Sequence, residues 1–570
     1  MLIVRSLAII AAASALGAQT APRELPLKYS GPPTVPAITA GDLMTRLYKY
    51  ADDSMGGRVV GTEYNIKATA YIEREVRRLG LTPAGDHGGY FQDLPIVSRS
   101  VDSAGSALIV NGRTFGFGSD FEASTSGRAR EVTIPNAWFF GVAADTANLP
   151  SVDAVRGKYL VLLPFRPAPG FNGEAFVATE GFKAYQRVMG AALGVMFVED
   201  SVRGRSRDRY FRPTGITIDR DYDAPYSVGI TPAVAQAMFG KPLSDLKRGD
   251  VAAPVTIRLA VHDTPKPLGR NVVAVLRGSD PKLRGEYIAI GAHNDHIQAQ
   301  PAVDHDSLKV FNAIALAQGA DATPRMPTAD EWTRINAMVD SLHRLHGGAR
   351  VDSISNGADD DGSGTVSVLE LAEAFATAKV KPKRSILFIW HAGEERGMWG
   401  SEYFTGHPTV PRDSIVAEIN LDMIGRGAAS DVTGTSKDGT LLRGGDKYVQ
   451  LVGSRRLSTE LGNLVEAVNR DPRYQFRLDY GLDADGHPQN IYCRSDHAMY
   501  AAWGIPVVFF TTGGHADYHQ VTDEPQYIRY EHMALLDRMI YDLAWRLANL
   551  DHRIVVDKAH SPDPHAACQQ

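Results

Sequence analysis

Histidine, aspartate and glutamate residues recur in the second half of the chain, at the ends of short apolar runs or just before a helix-like segment. In chain order they are His293, Asp295, Asp359, Asp360, Asp361, Glu394, Glu395, Asp422, His515, Asp517 and His519. Imidazoles and carboxylates without cysteine form a hard-to-borderline ligand set, which suits zinc and also manganese or cobalt. Each short pattern is common in solvated loops, so the indication of a metal site comes from their order along the chain.

Apolar runs alternate with helix-like segments after about residue 265. The runs are 271–276, 287–291, 385–390, 415–422 and 505–510, and the helix-like segments are 363–378, 454–469 and 495–503. This alternation predicts an α/β domain with a mainly parallel central sheet and helices on both faces. Ligands bind beyond the carboxyl ends of the strands in such sheets, so we expect the polar residues to converge there.

The first half of the chain has a different pattern of predicted helices and strands. Helical periodicity covers 43–48 and 65–79, and short apolar strands appear from about residue 132, at 137–141, 159–163 and 195–198. With roughly 100–200 residues per domain, a chain of this length predicts two to four domains. The predicted segments are a signal peptide (1–18), an N-terminal part of the main domain (19–130), a strand-rich insertion (131–264), the main α/β domain (265–550, with an insertion at 297–355) and a poorly ordered tail (551–570).

The N-terminal segment is typical of a secretory signal peptide. It carries one positive charge, Arg5, followed by an apolar run from Leu7 to Ala18 that ends in small residues. The run is shorter than the about 20 apolar residues that a membrane-spanning helix needs, and no later stretch reaches that length. We therefore expect a secreted or periplasmic protein with no membrane span.

Composition excludes several classes of protein. The net charge is −6 from 60 basic and 66 acidic side chains, which gives no support to a nucleic-acid partner. Two cysteines are too few for a disulfide scaffold or a cysteine-rich zinc finger. Cys493 and Cys568 either pair after export or remain free thiols, and the oligomeric state is not indicated by the sequence.

The run NGADDDGSG at 356–364, with the other ligand motifs in order around it, resembles the co-catalytic zinc aminopeptidases. Relatives of that family include glutamate carboxypeptidase and transferrin receptor. The resemblance covers most of the chain and implies the zinc aminopeptidase (phosphorylase-like) fold with an inserted protease-associated domain. Its further motifs are Gly57-Arg58, Gly61-Thr62 and Asn65 in the early part and Phe140-Gly141, Arg156-Gly157-Lys158 and Gly190-Ala191 in the strand-rich part.

The same resemblance implies two zinc ions per chain. His293 and Asp422 match the ligands of one ion, and Glu395 and His519 match the ligands of the other. Asp360 matches the aspartate that bridges both ions. Three further histidines, at 296, 391 and 515, lie near these positions, but we assign them no role and expect them in loops or supporting positions.

Three residues match groups that act beside the metals. Glu394 corresponds to the general base that activates a water held between the ions, and Asp295 to the carboxylate that orients the His293 imidazole. Tyr492 corresponds to a tyrosine that hydrogen-bonds the developing oxyanion, although a packed tyrosine before a helix is an alternative interpretation. The resemblance also implies a cis peptide bond between Asp360 and Asp361.

The function implied is that of an exported aminopeptidase that hydrolyses N-terminal residues from peptides. A glutamate-carboxypeptidase-like zinc exopeptidase is the main alternative, because the five arginines at 203–212 could hold a substrate carboxylate. Against it, carboxypeptidase-type relatives have a proline directly after the bridging aspartate, where this chain has Asp361. A non-catalytic receptor or binding module is a minor alternative, since such proteins lose ligands that are all present here.

Overall fold

The structure is a computed structural model. It describes residues 25–570 except 124–130, 169–170, 172–175, 177–178, 201, 203–213, 219–226, 267, 298, 317–318, 321–323, 562, 565–567 and 569. The predicted signal peptide, 1–18, and the arginine loop, 203–212, lie outside the described residues.

The helices of the described residues include those predicted at 65–79, 363–378 and 454–469. They are α1 (Ala40–Tyr50), α2 (Glu63–Arg78), α3 (Val152–Val155), α4 (Glu180–Gly190), α5 (Pro232–Phe239), α6 (His305–Ala315), α7 (Ala329–His346), α8 (Gly364–Thr377), α9 (Trp399–Gly406), α10 (Thr459–Asn469), α11 (His497–Ala502) and α12 (Tyr530–Asn549). Several begin at a Ser or Thr whose side chain accepts a backbone N–H, as Thr39 does for α1 and Thr62 for α2. No helix within the described part of the chain is long and apolar enough to span a membrane.

The strands are short and mostly buried. They are β1 (Thr82–Pro83), β2 (Phe91–Asp93), β3 (Ile96–Val110), β4 (Arg113–Gly116), β5 (Phe121–Ala123), β6 (Glu131–Ile134), β7 (Trp138–Val142), β8 (Tyr159–Leu163), β9 (Gly194–Val198), β10 (Thr214–Ile218), β11 (Ser227–Ile230), β12 (Val255–Pro265), β13 (Arg270–Leu276), β14 (Tyr287–His293), β15 (Val303–Asp304), β16 (Val351–Asp352), β17 (Ser385–His391), β18 (Ile415–Leu421), β19 (Val432–Thr435), β20 (Leu441–Arg443), β21 (Tyr448–Val452), β22 (Arg477–Asp479) and β23 (Val507–Thr511).

A central sheet organises the second half of the chain. Its strand order is β1-β13-β17-β14-β18-β23-β21-β22, with β2 added on β13. The middle strands β17, β14, β18 and β23 are parallel to one another, and β13 and β21 join them antiparallel. The predicted class, an α/β fold with a mainly parallel central sheet, is therefore confirmed.

Both faces of this sheet are covered by helices. Along β17, Phe388 and Trp390 face one hydrophobic core and Leu387 and Ile389 face another, because successive side chains of a strand point to opposite faces. Helices α1, α2, α8, α10 and α12 contribute to the first core, and α9 and α11 to the second. Continuous burial on both sides explains why the predicted strands are apolar throughout rather than alternating.

Two smaller sheets form a second region with its own core, here called the two-sheet region (residues 96–265). One sheet has the order β10-β3-β12-β6, with β4 on β3, and the other the order β5-β11-β9-β8-β7. Both sheets contain strands from before residue 131, the predicted start of the strand-rich insertion, and β3 already begins at Ile96. The strand β3 is polar and half exposed, with Gly105 in its middle, which weakens its sequence pattern.

The predicted insertion at 297–355 contains α6 and α7, closed by the two-stranded pair β15–β16. It contacts the loop that follows β23. The ammonium of Lys309 is paired with Asp517, and His305 stacks on Tyr527 with ring centroids 6.0 Å apart. The side-chain amide of Gln300 donates to the carbonyl of His519 at 2.7 Å, so the insertion reaches the loop of a predicted metal ligand.

The described residues of the tail contact the rest of the chain at a few points. Cys568 forms a disulfide with Cys493, with Cα atoms 5.8 Å apart. The side chain of Gln570 accepts from the backbone N–H of Tyr492 at 3.0 Å, and Ile554 is buried. A covalent bond and a hydrogen bond therefore join the last described residues of the tail to the segment around Tyr492.

Candidate metal centre

The predicted ligands lie at the carboxyl edge of the parallel strands. The strand β14 ends at His293, which pairs in register with His391 at the end of β17. Glu394 and Glu395 follow β17, and Asp422 follows β18. Because these strands run in the same direction, the sheet brings residues that are distant in sequence to one edge.

His293, Asp360 and Asp422 form a first group of potential ligands, and all three are buried. Nε2 of His293 lies 3.1 Å from Oδ1 of Asp360 and 3.7 Å from Oδ1 of Asp422. The other carboxylate oxygen of Asp422 accepts a hydrogen bond from the Ser495 hydroxyl at 2.8 Å. That bond leaves Oδ1 of Asp422 directed at the group.

Asp360, Glu395 and His519 form a second group, together with His296. Nε2 of His519 lies 3.1 Å from Oδ2 of Asp360 and 3.1 Å from Oε2 of Glu395. The side chain of His519 is 33% exposed, whereas those of the other three are at most 7% exposed. The second group therefore opens to solvent at His519.

Asp360 belongs to both groups because its two carboxylate oxygens face different histidines. Its backbone N–H donates to the carboxylate of Asp523 at 3.1 Å. The peptide bond between Asp360 and Asp361 is cis, as the family resemblance implies. Burial opposes ionisation, but the imidazoles of His293 and His519 outweigh it and hold the pKa of Asp360 well below its usual range.

The residues present fit a pair of zinc ions. Within each group, the ligand atoms lie within 4.8 Å of one another. Nε2 of His519, Nδ1 of His296 and Oε1 of Glu395 are buried and lack a hydrogen bond, although a potential partner is close. Converging nitrogen and oxygen atoms that do not satisfy one another are what a cation site requires, and the absence of sulfur suits zinc, manganese or cobalt.

Glu394 lies next to these groups and belongs to neither. Its backbone N–H and that of Gly393 donate to Oδ1 of Asp295, at 3.1 Å and 2.7 Å. Burial raises the pKa of Glu394 well above its usual range, with His293 opposing and the Glu395 carboxylate adding to the shift. A buried carboxyl group beside two groups of potential metal ligands is in a position to exchange a proton with a molecule bound there.

Asp295 holds the loop that carries Glu394, rather than pairing closely with His293 through its carboxylate. Nδ1 of His293 is 3.1 Å from the backbone carbonyl of Asp295 and 3.7 Å from its carboxylate. The carbonyl is therefore the nearer partner of the imidazole, and the carboxylate accepts the two N–H groups of the following turn.

Comparison with known protein families is consistent with this geometry. The model of peptidase family M28 matches residues 271–544. Residues 271–544, just under half of the chain, are therefore similar to peptidase family M28, and we call them the M28 segment. All the potential metal ligands lie within this M28 segment.

Individual relatives match parts of the chain, and solved structures resemble most of it weakly. The chain is 38% identical over 84 residues to leupeptin-inactivating enzyme 1 of Streptomyces exfoliatus and 30% identical over 201 residues to leucine aminopeptidase 1 of Coccidioides posadasii. These alignments cover 14% and 34% of this chain and only 19% and 47% of the relatives. An aminopeptidase from Aneurinibacillus sp. strain AM-1 matches in structure with a TM-score of 0.43 and 17% identity, over 92% of this chain and 97% of that one.

Tyr492 of the M28 segment is placed in a packed environment. The guanidinium of Arg456 lies 4.6 Å from the centroid of its ring, and His497 contacts the ring edge-on at 5.6 Å. Burial raises the pKa of Tyr492 to about 12. Its described contacts do not include any of the potential ligands, which is the arrangement expected of a packed tyrosine.

Two residues near the potential metal ligands were given no role by the sequence analysis. His296, which we expected in a supporting position, lies in the second ligand group. Tyr518 stacks on His519 with centroids 3.9 Å apart, and burial and the nearby Asp360 and Glu395 carboxylates raise its pKa well above the usual range. His296 lies three residues after His293, and Tyr518 directly precedes His519. This closeness in sequence was the available signal, but it does not predict where a side chain points.

Proposed function

We propose that this chain is a zinc-dependent aminopeptidase with two zinc ions. The observation that carries the proposal is that Asp360 joins a group with His293 and Asp422 to a group with Glu395 and His519, with Glu394 beside both. The match of the M28 segment to a peptidase family and the name of a relative of the chain, leucine aminopeptidase 1, support the same class of reaction. The substrate would be a peptide.

In the proposed reaction, Glu394 moves the proton. Zinc bound by the two groups would supply a more acidic water and polarise the scissile carbonyl. The Glu394 carboxylate would accept the proton of the attacking water and return it to the leaving amine nitrogen. Asp295 would hold Glu394 in place through the two N–H bonds at its carboxylate.

Two tyrosines are candidates for a hydrogen bond to the developing oxyanion. The family resemblance favours Tyr492, and the ring stacked on His519 favours Tyr518. Replacing each by Phe separates them. We expect the true donor to lower kcat by on the order of 10²–10³-fold at unchanged zinc content, and the other variant to keep near-normal kcat.

The reaction class is tested with matched peptides. We expect hydrolysis of dipeptide amides with a free amine, no hydrolysis of the same peptides after N-acetylation, loss of activity on chelation and recovery with zinc. Hydrolysis of N-acetylated peptides ending in Glu would favour the carboxypeptidase alternative. Elemental analysis that finds only trace metal after zinc incubation and desalting would contradict the catalytic proposal.

We also propose that the protein is exported, to the periplasm or the medium. The disulfide between Cys493 and Cys568 supports this, because such bonds persist in oxidising compartments and are rare in the cytosol. The apolar run from Leu7 to Ala18 supports it independently. Fractionation of the native host, with N-terminal sequencing of the exported form, should find a chain that begins after residue 18. A full-length cytosolic protein would contradict the proposal.

A further inference from the structure

His296 is a fully buried histidine with no hydrogen bond on either ring nitrogen. Its Nδ1 lies 2.9 Å from Oε1 of Glu395 and 3.7 Å from Oδ2 of Asp360. Its ring meets that of His519 edge-on, with centroids 5.6 Å apart. The imidazole thus presents one nitrogen to the same small volume that the three predicted ligands of the second group surround.

These separations lie close to those of a metal site, within about 0.4 Å. Ligand atoms bound tetrahedrally to zinc at about 2.0–2.2 Å lie about 3.3–3.6 Å from one another. Around the second group, the separations are 2.9, 3.1, 3.1 and 3.7 Å. We propose that His296 is a fourth protein ligand, through Nδ1, of the zinc ion held by Asp360, Glu395 and His519. The proposal rests on the proposed function, because it assumes that zinc binds.

A simple hydrogen bond between His296 and Glu395 accounts less well for the same atoms. Nδ1 of His296 and Oε1 of Glu395 lie 2.9 Å apart, yet neither atom makes a hydrogen bond of acceptable geometry. A buried polar atom that makes no hydrogen bond costs free energy of folding, and both of these atoms are in that position. A cation between them would satisfy both.

The backbone at Gly357 leaves room for the imidazole of His296. A Cβ at Gly357 would lie 2.5 Å from Cγ of His296 and 2.6 Å from its Cδ2, and Gly357 has φ of +53°. The guanidinium of Arg58 holds this turn by donating to the carbonyls of Asn356 and Gly357. The glycine of the NGADDDGSG run therefore has a specific role, which is to let the His296 ring approach the bridging aspartate.

A fourth ligand would make the two sites unequal. The first group offers three protein ligands and leaves a position for water or substrate, whereas the second would be filled by four. We therefore expect the second site to bind zinc more tightly and the first to exchange its metal more readily. Substrate would then coordinate chiefly at the site of His293 and Asp422.

The ligand count can be measured on the unmodified protein. X-ray absorption at the zinc edge, with two equivalents bound, should show three imidazoles for two ions, from His293, His296 and His519. Two imidazoles for two ions would overturn the proposal. Failure of the chain to bind any zinc would overturn the proposed function as well, so the two failures are distinguishable.

A variant with a matched control gives the second measurement. His296→Asn should weaken the tighter zinc equivalent by more than about 100-fold in competition with a chromophoric chelator, since loss of a ligand should exceed loss of a supporting residue. The control is His391→Asn, which removes a buried imidazole that hydrogen-bonds Tyr500 and belongs to neither group. It should change either affinity by less than about 10-fold.

The outcomes separate ligation from support. If His296→Asn folds, as judged by circular dichroism, and loses less than about 10-fold in the tighter affinity, His296 is not a ligand. If the variant loses more but the wild-type protein shows only two imidazoles, His296 merely positions Glu395, and the proposal fails. If the variant does not fold, the imidazole count of the wild-type protein decides alone.

Discussion

Glu394 and Glu395 are adjacent in the chain but have different neighbours. The Glu395 carboxylate faces the imidazoles of His296 and His519 at 2.9 and 3.1 Å. Glu394 lies in neither ligand group, and its backbone is bonded to Asp295. The two residues begin a short 3-10 helix (Glu394–Arg396), in which successive side chains point about 120° apart, so one carboxylate could bind metal while the other meets the reacting water.

Replacing Glu394 and replacing Glu395 should therefore cause different defects. Glu394→Gln keeps size and polarity but cannot accept a proton, so kcat should fall on the order of 10²–10⁴-fold with both zinc ions retained. Glu395→Gln replaces an anionic ligand by a neutral amide, so its main defect should be zinc affinity at one site, partly rescued by excess zinc. Kinetics and metal analysis on both variants check this. Rescue of Glu394→Gln by zinc would reverse the assignment.

Sequence order was sufficient to predict five residues that the structure brings together, but not the position of His296 among them. His293, Asp360 and Asp422 come together because each sits at a strand end or helix start, which periodicity reveals. His296 was missed because its direction depends on the path of the chain after β14 and on the space left by Gly357. Such a close approach between two loops leaves no periodic pattern.

At the level of elements, the turn before α8 is built around Gly357. An added Cβ would lie 2.2 Å from the carbonyl oxygen of Asp360, besides its overlap with His296. Gly347, which ends α7, has a similar left-handed conformation with φ of +78° but open space around it. The two glycines therefore separate the cost of backbone conformation from the cost of crowding.

Alanine at these glycines should have unequal effects. Gly347→Ala should lower the free energy of unfolding by roughly 1–2 kcal/mol, the cost of a left-handed non-glycine residue. Gly357→Ala should cost at least about 1 kcal/mol more, because overlapping atoms force the turn to move. Urea unfolding of the metal-free variants measures both. Equal losses would show that the turn relaxes freely around the new methyl group.

The strand β18 contains a carboxyl group with no hydrogen-bond partner. Glu418 is fully buried and neither of its oxygens is bonded. Burial raises its pKa well above the usual range, and the nearby Asp496 carboxylate adds to the shift. The group is therefore protonated in the folded protein over a range of pH in which it is ionised in the unfolded chain.

Because the pKa of Glu418 is higher in the folded than in the unfolded chain, the free energy of unfolding should depend on pH through this group. A raised folded pKa contributes stability that is fully present below the unfolded value of about 4.3 and is lost as pH rises through the folded pKa. Glu418→Gln should remove this loss, so its stability relative to wild type should increase between pH 5 and 8, by at most about 1.4 kcal/mol per pH unit. Urea unfolding of both proteins measures the difference in their unfolding free energies. The contribution of the metal site is common to both proteins and cancels in that difference.

An exposed glutamate provides the control for this prediction. Glu531→Gln, in the first turn of α12, removes a carboxylate that lies at the surface. Its stability difference from wild type should stay nearly constant over the same pH range. Parallel stability curves for wild type and Glu418→Gln would contradict protonation of the buried carboxyl group.

At the scale of the molecule, continuously apolar strands were predictable and strands with mixed apolar and polar residues were not. The strands β13, β14, β17, β18 and β23 are buried on both faces, and their apolar runs predicted them within two residues. The strand β3 was missed because many of its side chains are polar and partly exposed. It joins β10 and β12, which lie more than a hundred residues later, a pairing that no local pattern encodes.

The disulfide ties the end of the chain to the body of the M28 segment. Cys493 and Cys568 are separated by 75 residues in sequence. Gln570 extends the contact by donating from its side chain to the carbonyl of Leu482 at 2.5 Å and accepting from Tyr492. The bond thus encloses α11, β23, the loop that carries His519, and α12.

Removing this bond should destabilise the fold without changing the ligands. Closing a loop of this length restricts the unfolded chain, so the double variant Cys493→Ser/Cys568→Ser should lose on the order of 2–4 kcal/mol of unfolding free energy. Its zinc stoichiometry should remain that of the wild-type protein, because no sulfur belongs to either ligand group. Urea unfolding and metal analysis check the two parts, with wild-type protein in reductant as the matched comparison. Equal unfolding free energies for the oxidised protein and the variant would show that the noncovalent contacts of the tail suffice to hold it.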